Sequence, residues 1–282
     1  MIPEIEKLKT KEKNLRKRIF SKLSIWQKVQ IARHPQRPHT KDYIDLIFRN
    51  FVELHGDRQY ADDAAIIGGI GDIDNKSFMI IGHEKGRETE EKVRRNFGMP
   101  HPEGYRKAKR LMLLAERFSL PIISFIDTAG AYPGIEGEER GQSEAIASNL
   151  ALMSKLKTQI LVFITGEGGS GGALGIGVGD HYSILEHATY SVASPEACSS
   201  IIWRTAEKAA SAAEAMKVSA QELIKIGIVD EIISEPNGGA HRNYSKTARA
   251  IKSSILENIA KFKAIDMDKL LEMRYQKLLK IG

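Results

Sequence analysis

"TQILVFITGEGGSGGALGIG", residues 158–177, runs from an apolar stretch straight into a segment with seven glycines in the twelve positions 166–177. The apolar part reads as a strand and "ALGIG" as a short helix, with the glycines forming the turn between them. The same order occurs upstream. "PIISFID" (121–127) is a strand, "DTAGAYPGIEGEERG" (127–141) a glycine-rich loop, and "EERGQSEAIASNLALMSKL" (138–156) a helix. Strand, helix, parallel strand is the implied unit, which makes the chain an α/β protein. Two backbone-rich turns at the C-terminal ends of parallel strands can then face one crevice.

Outward from this centre, Pro102 opens a helix with Ala108, Leu111, Ala115 and Phe118 on one face. "AAIIGGIGDI" (64–73) and "KSFMIIG" (76–82) are two strands joined by Asp74-Asn75, which fits a hairpin turn with φ > 0. Downstream, "YSILEHATYSVASPEA" (182–197) is again apolar. Ser219 and Glu222 are spaced as a capping box, Gly227 stops that helix, and "IVDEII" (228–233) is one more strand. Two polar helices finish the chain. The expected organisation is a basic helical arm over 1–37, one main domain over 38–244, and a helical tail over 245–282.

The 282 residues suffice for a sizeable core. Their formal charge of +6 is unevenly spread. Residues 1–41 hold twelve Lys/Arg against three Asp/Glu, leaving 30 against 33 for the remainder. In the arm Leu15, Ile19, Leu23 and Trp26 recur at helical spacing, so one basic helix with a single apolar stripe is expected, broken by "RHPQRP". A solvated face explains such charge more simply than RNA or an acidic partner, though nucleic acid is not excluded. Cys198 is the single cysteine, which excludes an internal disulfide or a thiolate zinc cage, and no metal site is expected. No apolar stretch reaches the length of a membrane span and no secretory signal opens the chain, so a cytoplasmic protein is expected.

The glycine turn admits several chemistries. A Walker loop needs Gly-Lys-Ser/Thr at its end, and the corresponding positions are Gly and Ala. A dinucleotide fingerprint can be fitted to Gly166, Gly168 and Gly171, but the first strand–helix unit lies elsewhere. "GGSGG" matches a nucleophile elbow at Ser170, with Asp230 and His241 downstream in the order a serine hydrolase requires. The remaining reading uses no side chain. Glycines at a helix start bare their backbone N–H groups, and two donors aimed at one point form an oxyanion hole, for which Gly171, Gly172 and Ala173 are the candidates. Asp127 reads as a turn or cap acceptor. An acid–base enzyme would draw on Glu167, Glu186 or His181, which show no partner set in the sequence. Lys85, Arg87, Arg94 and Arg95 cluster in "HEKGRETEEKVRRNFG", either to grip phosphates or as a solvated charged face.

Seven stretches carry a resemblance: "ARHPQRP", "IIGHEKGRETEEKVRRNFGMPHPEGYRKA", "FIDTAGAYPG", "EERGQSEAIA", "GEGGSGGALGIGVGD", "YSVASPEACSSIIW" and "EPNGGAHRN", in this order over 32–243. With them the chain resembles the carboxyltransferase alpha subunit of multi-subunit acetyl-CoA carboxylase. The resemblance implies a ClpP/crotonase-like fold, a superhelix of strand-strand-helix units with helical extensions at both ends. It implies transfer of a carboxyl group from carboxybiotin to acetyl-CoA, giving malonyl-CoA, the first committed step of fatty acid synthesis. It further implies a carboxyltransferase beta subunit in an α2β2 assembly, a biotin carboxyl carrier protein that brings the carboxybiotin, and biotin carboxylase. By the same resemblance Gly171, Gly172 and Ala173 polarise the biotin carbonyl. Gly130, Ala131, Tyr132, Pro133 and Gly134 wall the pocket, and the basic cluster meets CoA. A stand-alone crotonase-like acyl-CoA hydratase or thioesterase is the competing class. The chain departs from the family pattern at Ala129 and Ala197, where proline and glycine are expected, and in lacking an acidic residue after Arg204. Its N-terminal arm is short for the family.

Overall fold

The computed structural model describes residues 2–281, with side chains from residue 4 onward. The basic segment is two helices, not one. After α1 (Ile2–Phe20), the Ser24 hydroxyl accepts from the Gln27 N–H while the Gln27 side chain accepts from the Ser24 N–H, and this capping box starts α2 (Ile25–Ala32). The expected stripe is thereby divided. Leu15 and Ile19 stay exposed on α1, whereas Trp26 packs with Val29 against Ala213 and Val218.

Next come α3 (Thr40–Ile47), β1 (Arg49–Glu53), and the hairpin of β2 (Ile66–Ile73) and β3 (Lys76–His83). Asp74 and Asn75 take φ of 48° and 62°, as the two-residue turn requires, and set Ile73 opposite Lys76. Beyond α4 (Thr89–Arg94), α5 (Pro102–Arg117) begins at Pro102 and buries Ala108, Leu111 and Ala115 completely. Phe118 departs from the expected face: it follows the last helical residue and is exposed. β4 (Ile122–Thr128) is buried along its whole length. The single helix expected over 138–156 is split into α6 (Ile135–Glu139) and α7 (Gln142–Met153), because Gly141 stands between them at φ 82°.

β5 (Ile160–Gly169) continues four residues into the glycine segment before α8 (Ser170–Leu174) begins. Beyond β6 (His181–Leu185), β7 (Thr189–Ser191) pairs with residues 167–169 and holds that extension as strand. The chain continues through α9 (Pro195–Trp203), α10 (Ala209–Met216), α11 (Ala220–Lys225), β8 (Glu231–Ile233), α12 (Tyr244–Lys263) and α13 (Met267–Ile281). Ser219 is the N-cap residue of α11, but its hydroxyl makes no cap bond: the residue is buried beside Thr189, and Glu222 pairs with Lys225 instead. Gly227, at φ 77°, follows that helix as expected.

The sheet order is β1-β2-β3-β4-β5-β6-β8, with β7 beside the end of β5. β1 to β3 are antiparallel, and every pairing from β3 onward is parallel, so the C-terminal ends of β3, β4 and β5 share one edge. The terminal segments are less separate than their composition suggests. Arg37 is fully buried, and Ile251, Ile255, Phe262 and Leu270 of α12 and α13 join the central core, so within the described residues the packed body extends on both sides of 38–244.

Candidate active site

The two glycine loops touch through their backbones. A Cβ on Gly172 would lie 2.3 Å from the carbonyl carbon of Gly130 and 2.4 Å from the nitrogen of Ala131, and one on Gly169 would lie 2.1 Å from the oxygen of Ala129. Only hydrogen fits at either place. Gly171 is different, since its added Cβ would meet nothing nearer than Ile146 at 3.7 Å. As first-turn residues, Ser170, Gly171 and Gly172 lack acceptors within the helix. Ala173, the third sequence candidate, does not share this: as the fourth residue of α8 its N–H makes the first helical bond, to the N-cap Gly169 carbonyl. The amides of Gly171 and Gly172 are thus the ones left to meet an oxygen from outside the helix. α8 is five residues long, so the donors, more than any helix dipole, carry the electrostatics.

The wall opposite is held by its own bonds. Thr128 Oγ1 donates to the Gly130 carbonyl at 2.7 Å and accepts from the Gly130 N–H at 3.1 Å. The Tyr132 N–H donates to the Pro100 carbonyl, its ring lies 3.9 Å from that of His101, and it fills the space a side chain at Gly134 would need. Gln142 Nε2 donates to the carbonyls of Pro100 and Tyr132. Pro133 and Ala129 stay exposed at the mouth.

A charge network underlies the loops. Lys85 Nζ lies 2.7 Å from Asp127 Oδ1 and 3.0 Å from Glu167 Oε2. Burial works against its ammonium, yet the two carboxylates outweigh that and push its pKa up to about 12. Burial likewise works against the Asp127 carboxylate, but the Lys85 charge and the Glu167 N–H hold it below the usual value. Arg33 joins Glu167 and Glu196, each at 2.5 Å, tying α2 to β5 and α9. Arg37 donates to both Glu235 oxygens and to the Thr165 carbonyl. A cleft of about 180 Å³ opens between Arg33, Arg37, His39, Lys85, Lys92 and Asp127.

The expected basic cluster is not one patch of unpaired cations. Lys85 is turned inward to its two carboxylates, Arg87 pairs with Asp42 and lies over the Tyr244 ring, and Arg95 bonds Glu91 and the Ala64 carbonyl. Arg94 alone of the four is exposed. Neighbouring carboxylates, invisible as partners in the linear sequence, account for the difference. Arg33 and Arg37, marked in the sequence only as flanking a break, prove to be part of the network.

The serine-hydrolase constellation is not assembled. Ser170 is exposed at φ 53°, as an elbow serine would be, but Asp230 precedes β8 and therefore lies at the opposite edge of the parallel sheet. Its carboxylate accepts from the Tyr182 N–H and Lys277, while the His241 ring stacks on His34 at 3.8 Å. Gly166 and Gly168 serve packing, against the Asp127 carboxylate and the Tyr190 ring. His181 pairs with Glu231 away from the loops, Glu186 accepts the Glu235 N–H, and Glu167 is held by two cations, so no acid–base pair faces the crevice. Ala197 lies in the first turn of α9, where alanine is unstrained, and Arg204 ends that helix at φ 55°. Among the described residues no group of three or more His, Cys, Asp or Glu is arranged to hold a metal ion, and no helix is long and apolar enough to cross a membrane.

Parallel strands ending in two touching glycine loops, with N–H donors left over and no nucleophile, fit the class of crotonase-like carboxyltransferases, and solved structures agree on the fold. Transcarboxylase 12S, described as a hexamer in a multienzyme core, superposes with a TM-score of 0.61 at 17% identity over 77% of this chain and 41% of that one. A Pseudomonas malonate decarboxylase hetero-tetramer in complex with coenzyme A gives 0.61 at 14% identity over 77% and 86%. The family model described as acetyl co-enzyme A carboxylase carboxyltransferase-like matches residues 1–282. The acetyl-coenzyme A carboxylase carboxyl transferase subunit alpha of Vibrio cholerae is 59% identical over 279 residues, 99% of this chain and 88% of that protein. The chain belongs to this alpha-subunit family.

Proposed function

We propose that this chain is the biotin-side half of an acetyl-CoA carboxylase carboxyltransferase, a cytoplasmic enzyme that moves a carboxyl group from carboxybiotin to acetyl-CoA and yields malonyl-CoA. The observation that carries the reading is the pair of first-turn amides at Gly171 and Gly172, without helical acceptors, placed where the two loops touch. Carboxybiotin, brought on a carrier protein, supplies the carboxyl group when bound. The amides of Gly171 and Gly172 then face the oxygen on which charge grows, and one such donor is worth about 3 kcal/mol of transition-state stabilisation. Residues 130–134 wall the pocket, with Tyr132 as its aromatic side. Lys85 stays protonated between Asp127 and Glu167, where it braces the ends of β3, β4 and β5. A beta subunit supplies the thioester half, and the exposed apolar side chains of Val192, Ile201 and Ile202 near α9 fit a chain that works within an assembly.

The test mixes the purified chain with its beta subunit, biotin and malonyl-CoA and follows biotin-dependent decarboxylation. No turnover is expected from the chain alone and robust turnover from the mixture, with Ser170→Ala retaining activity within about threefold. Strong turnover by the isolated chain, or its abolition in Ser170→Ala, overturns the reading.

A further inference from the structure

We infer that the cleft between the end of α2, α4 and the ends of β3 and β4 is a subsite for an adenine nucleotide. That CoA supplies this nucleotide rests on the proposed carboxyl transfer; the fit of the cleft itself does not. Its volume of about 180 Å³ lies below the roughly 300–1,000 Å³ of sites that enclose a drug-sized ligand. It therefore takes one ring system and leaves the rest of the ligand outside. Asp127, His39 and Ala32 are buried at the floor, whereas Pro35, Lys92 and Phe97 stand nearer solvent at the mouth. The Phe97 ring is 53% exposed and belongs to a run of three left-handed residues, Asn96, Phe97 and Gly98, at φ 45°, 56° and 77°. That conformation is uncommon for a bulky residue. Local bonds hold it: Asn96 Nδ2 and His101 Nδ1 lie 2.7 Å apart, and the Gly98 and Met99 N–H groups donate to the Arg95 and Asn96 carbonyls. A strained backbone thus presents an apolar ring to water at the edge of a cleft, as a stacking platform does and a core residue does not.

Charge and polarity select the ligand. Arg33, Arg37 and Lys85 border the cleft, but carboxylates hold each of them. Lys92 has no ion-pair partner among the described residues, so its ammonium at the mouth is placed for a phosphate attached to a ring inside. At the floor the Asp127 carboxylate, kept ionised by Lys85, only accepts hydrogen bonds. Adenine offers an amino donor where guanine carries an acceptor oxygen, so the floor favours adenine. His39 Nδ1, 3.3 Å from Glu84 Oε1 without a well-aligned hydrogen bond, is a second polar group there. The flat faces of the base are left to Pro35 and Phe97.

The experiment uses the assembled alpha–beta enzyme, comparing wild type with Phe97→Ala, Phe97→Tyr and Lys92→Ala. Adenosine 3′,5′-bisphosphate is titrated into each by calorimetry, and biotin-dependent turnover is followed with malonyl-CoA and with malonyl-pantetheine, which lacks the nucleotide. Bisphosphate affinity is expected to fall about 10-fold in Phe97→Ala and in Lys92→Ala, to survive in Phe97→Tyr, which keeps the ring, and to depend less on salt in Lys92→Ala. A matching rise in KM for malonyl-CoA, with malonyl-pantetheine handled as by wild type, identifies the nucleotide as the end of CoA. A fall in bisphosphate affinity with both KM values unchanged supports the subsite for a free adenine nucleotide instead. A bisphosphate that does not bind wild type, or that binds Phe97→Ala and Lys92→Ala as tightly as wild type, overturns the subsite and leaves the carboxyl-transfer reading standing. A wild-type assembly that binds the bisphosphate but shows no biotin-dependent turnover overturns that reading and leaves the subsite.

Discussion

Gly171 and Gly172 are adjacent and chemically identical, yet their surroundings give them opposite tolerance. A methyl group at Gly172 must displace backbone atoms 2.3–2.4 Å away, whereas one at Gly171 meets a side chain at ordinary contact distance. Gly172→Ala is therefore expected to lower stability by about 3 kcal/mol through overpacking and to abolish turnover with it. Gly171→Ala should keep stability within about 1 kcal/mol, because alanine suits a helix better than glycine does. Thermal unfolding and turnover measured on both variants check the contrast; equal loss of stability would mean the loops do not touch. The sequence marks both glycines as unusual, but it cannot say which one lacks room and which one lacks a neighbour, because the limiting atoms belong to residues 130 and 131.

At the scale of the element, the strand–turn–helix order around residues 121–177 was legible because a fully apolar run and a cluster of glycines leave few alternatives. What escaped was the length of β5, held as strand by β7, and the split of one helix into α6 and α7 at a left-handed glycine. The two C-terminal helices were expected, but their part in the core was not. α13 reads as a polar tail, yet Arg274 is buried and donates to Asp180 at 2.8 and 2.9 Å and to the carbonyls of Met153, Leu156 and Thr158. Arg274→Ala strands the buried Asp180 carboxylate and should cost about 3–5 kcal/mol, with Arg274→Lys recovering only part because it lacks the planar fork. Urea unfolding measures the loss, and α13 should become the first site of proteolytic cleavage.

For the molecule as a whole, buried titratable groups set the response to acid. His83 has a folded pKa near 4 against an ordinary value of about 6.5, so the unfolded chain binds the proton first. Its contribution is complete above about pH 6.5 and is lost as the pH falls toward 4, a difference of up to about 3 kcal/mol. Asp127, held below its usual value, adds a loss at still lower pH. Thermal midpoints between pH 7 and 4 should fall less steeply in His83→Gln than in wild type, and equal slopes would place the acid sensitivity elsewhere. The residues themselves determined an α/β protein without a disulfide or a phosphate loop: apolar strands interrupted by bare glycine turns, one cysteine, and no lysine where a phosphate loop needs it. Those are properties of local chemistry, legible wherever the chain goes. Only the tertiary structure decided that the two turns touch, that Ser170 stands without Asp230 or His241, and that Lys85 faces inward to two carboxylates. Each depends on contacts between residues tens of positions apart, and which partners meet is set by the pairing of strands and the packing of the core.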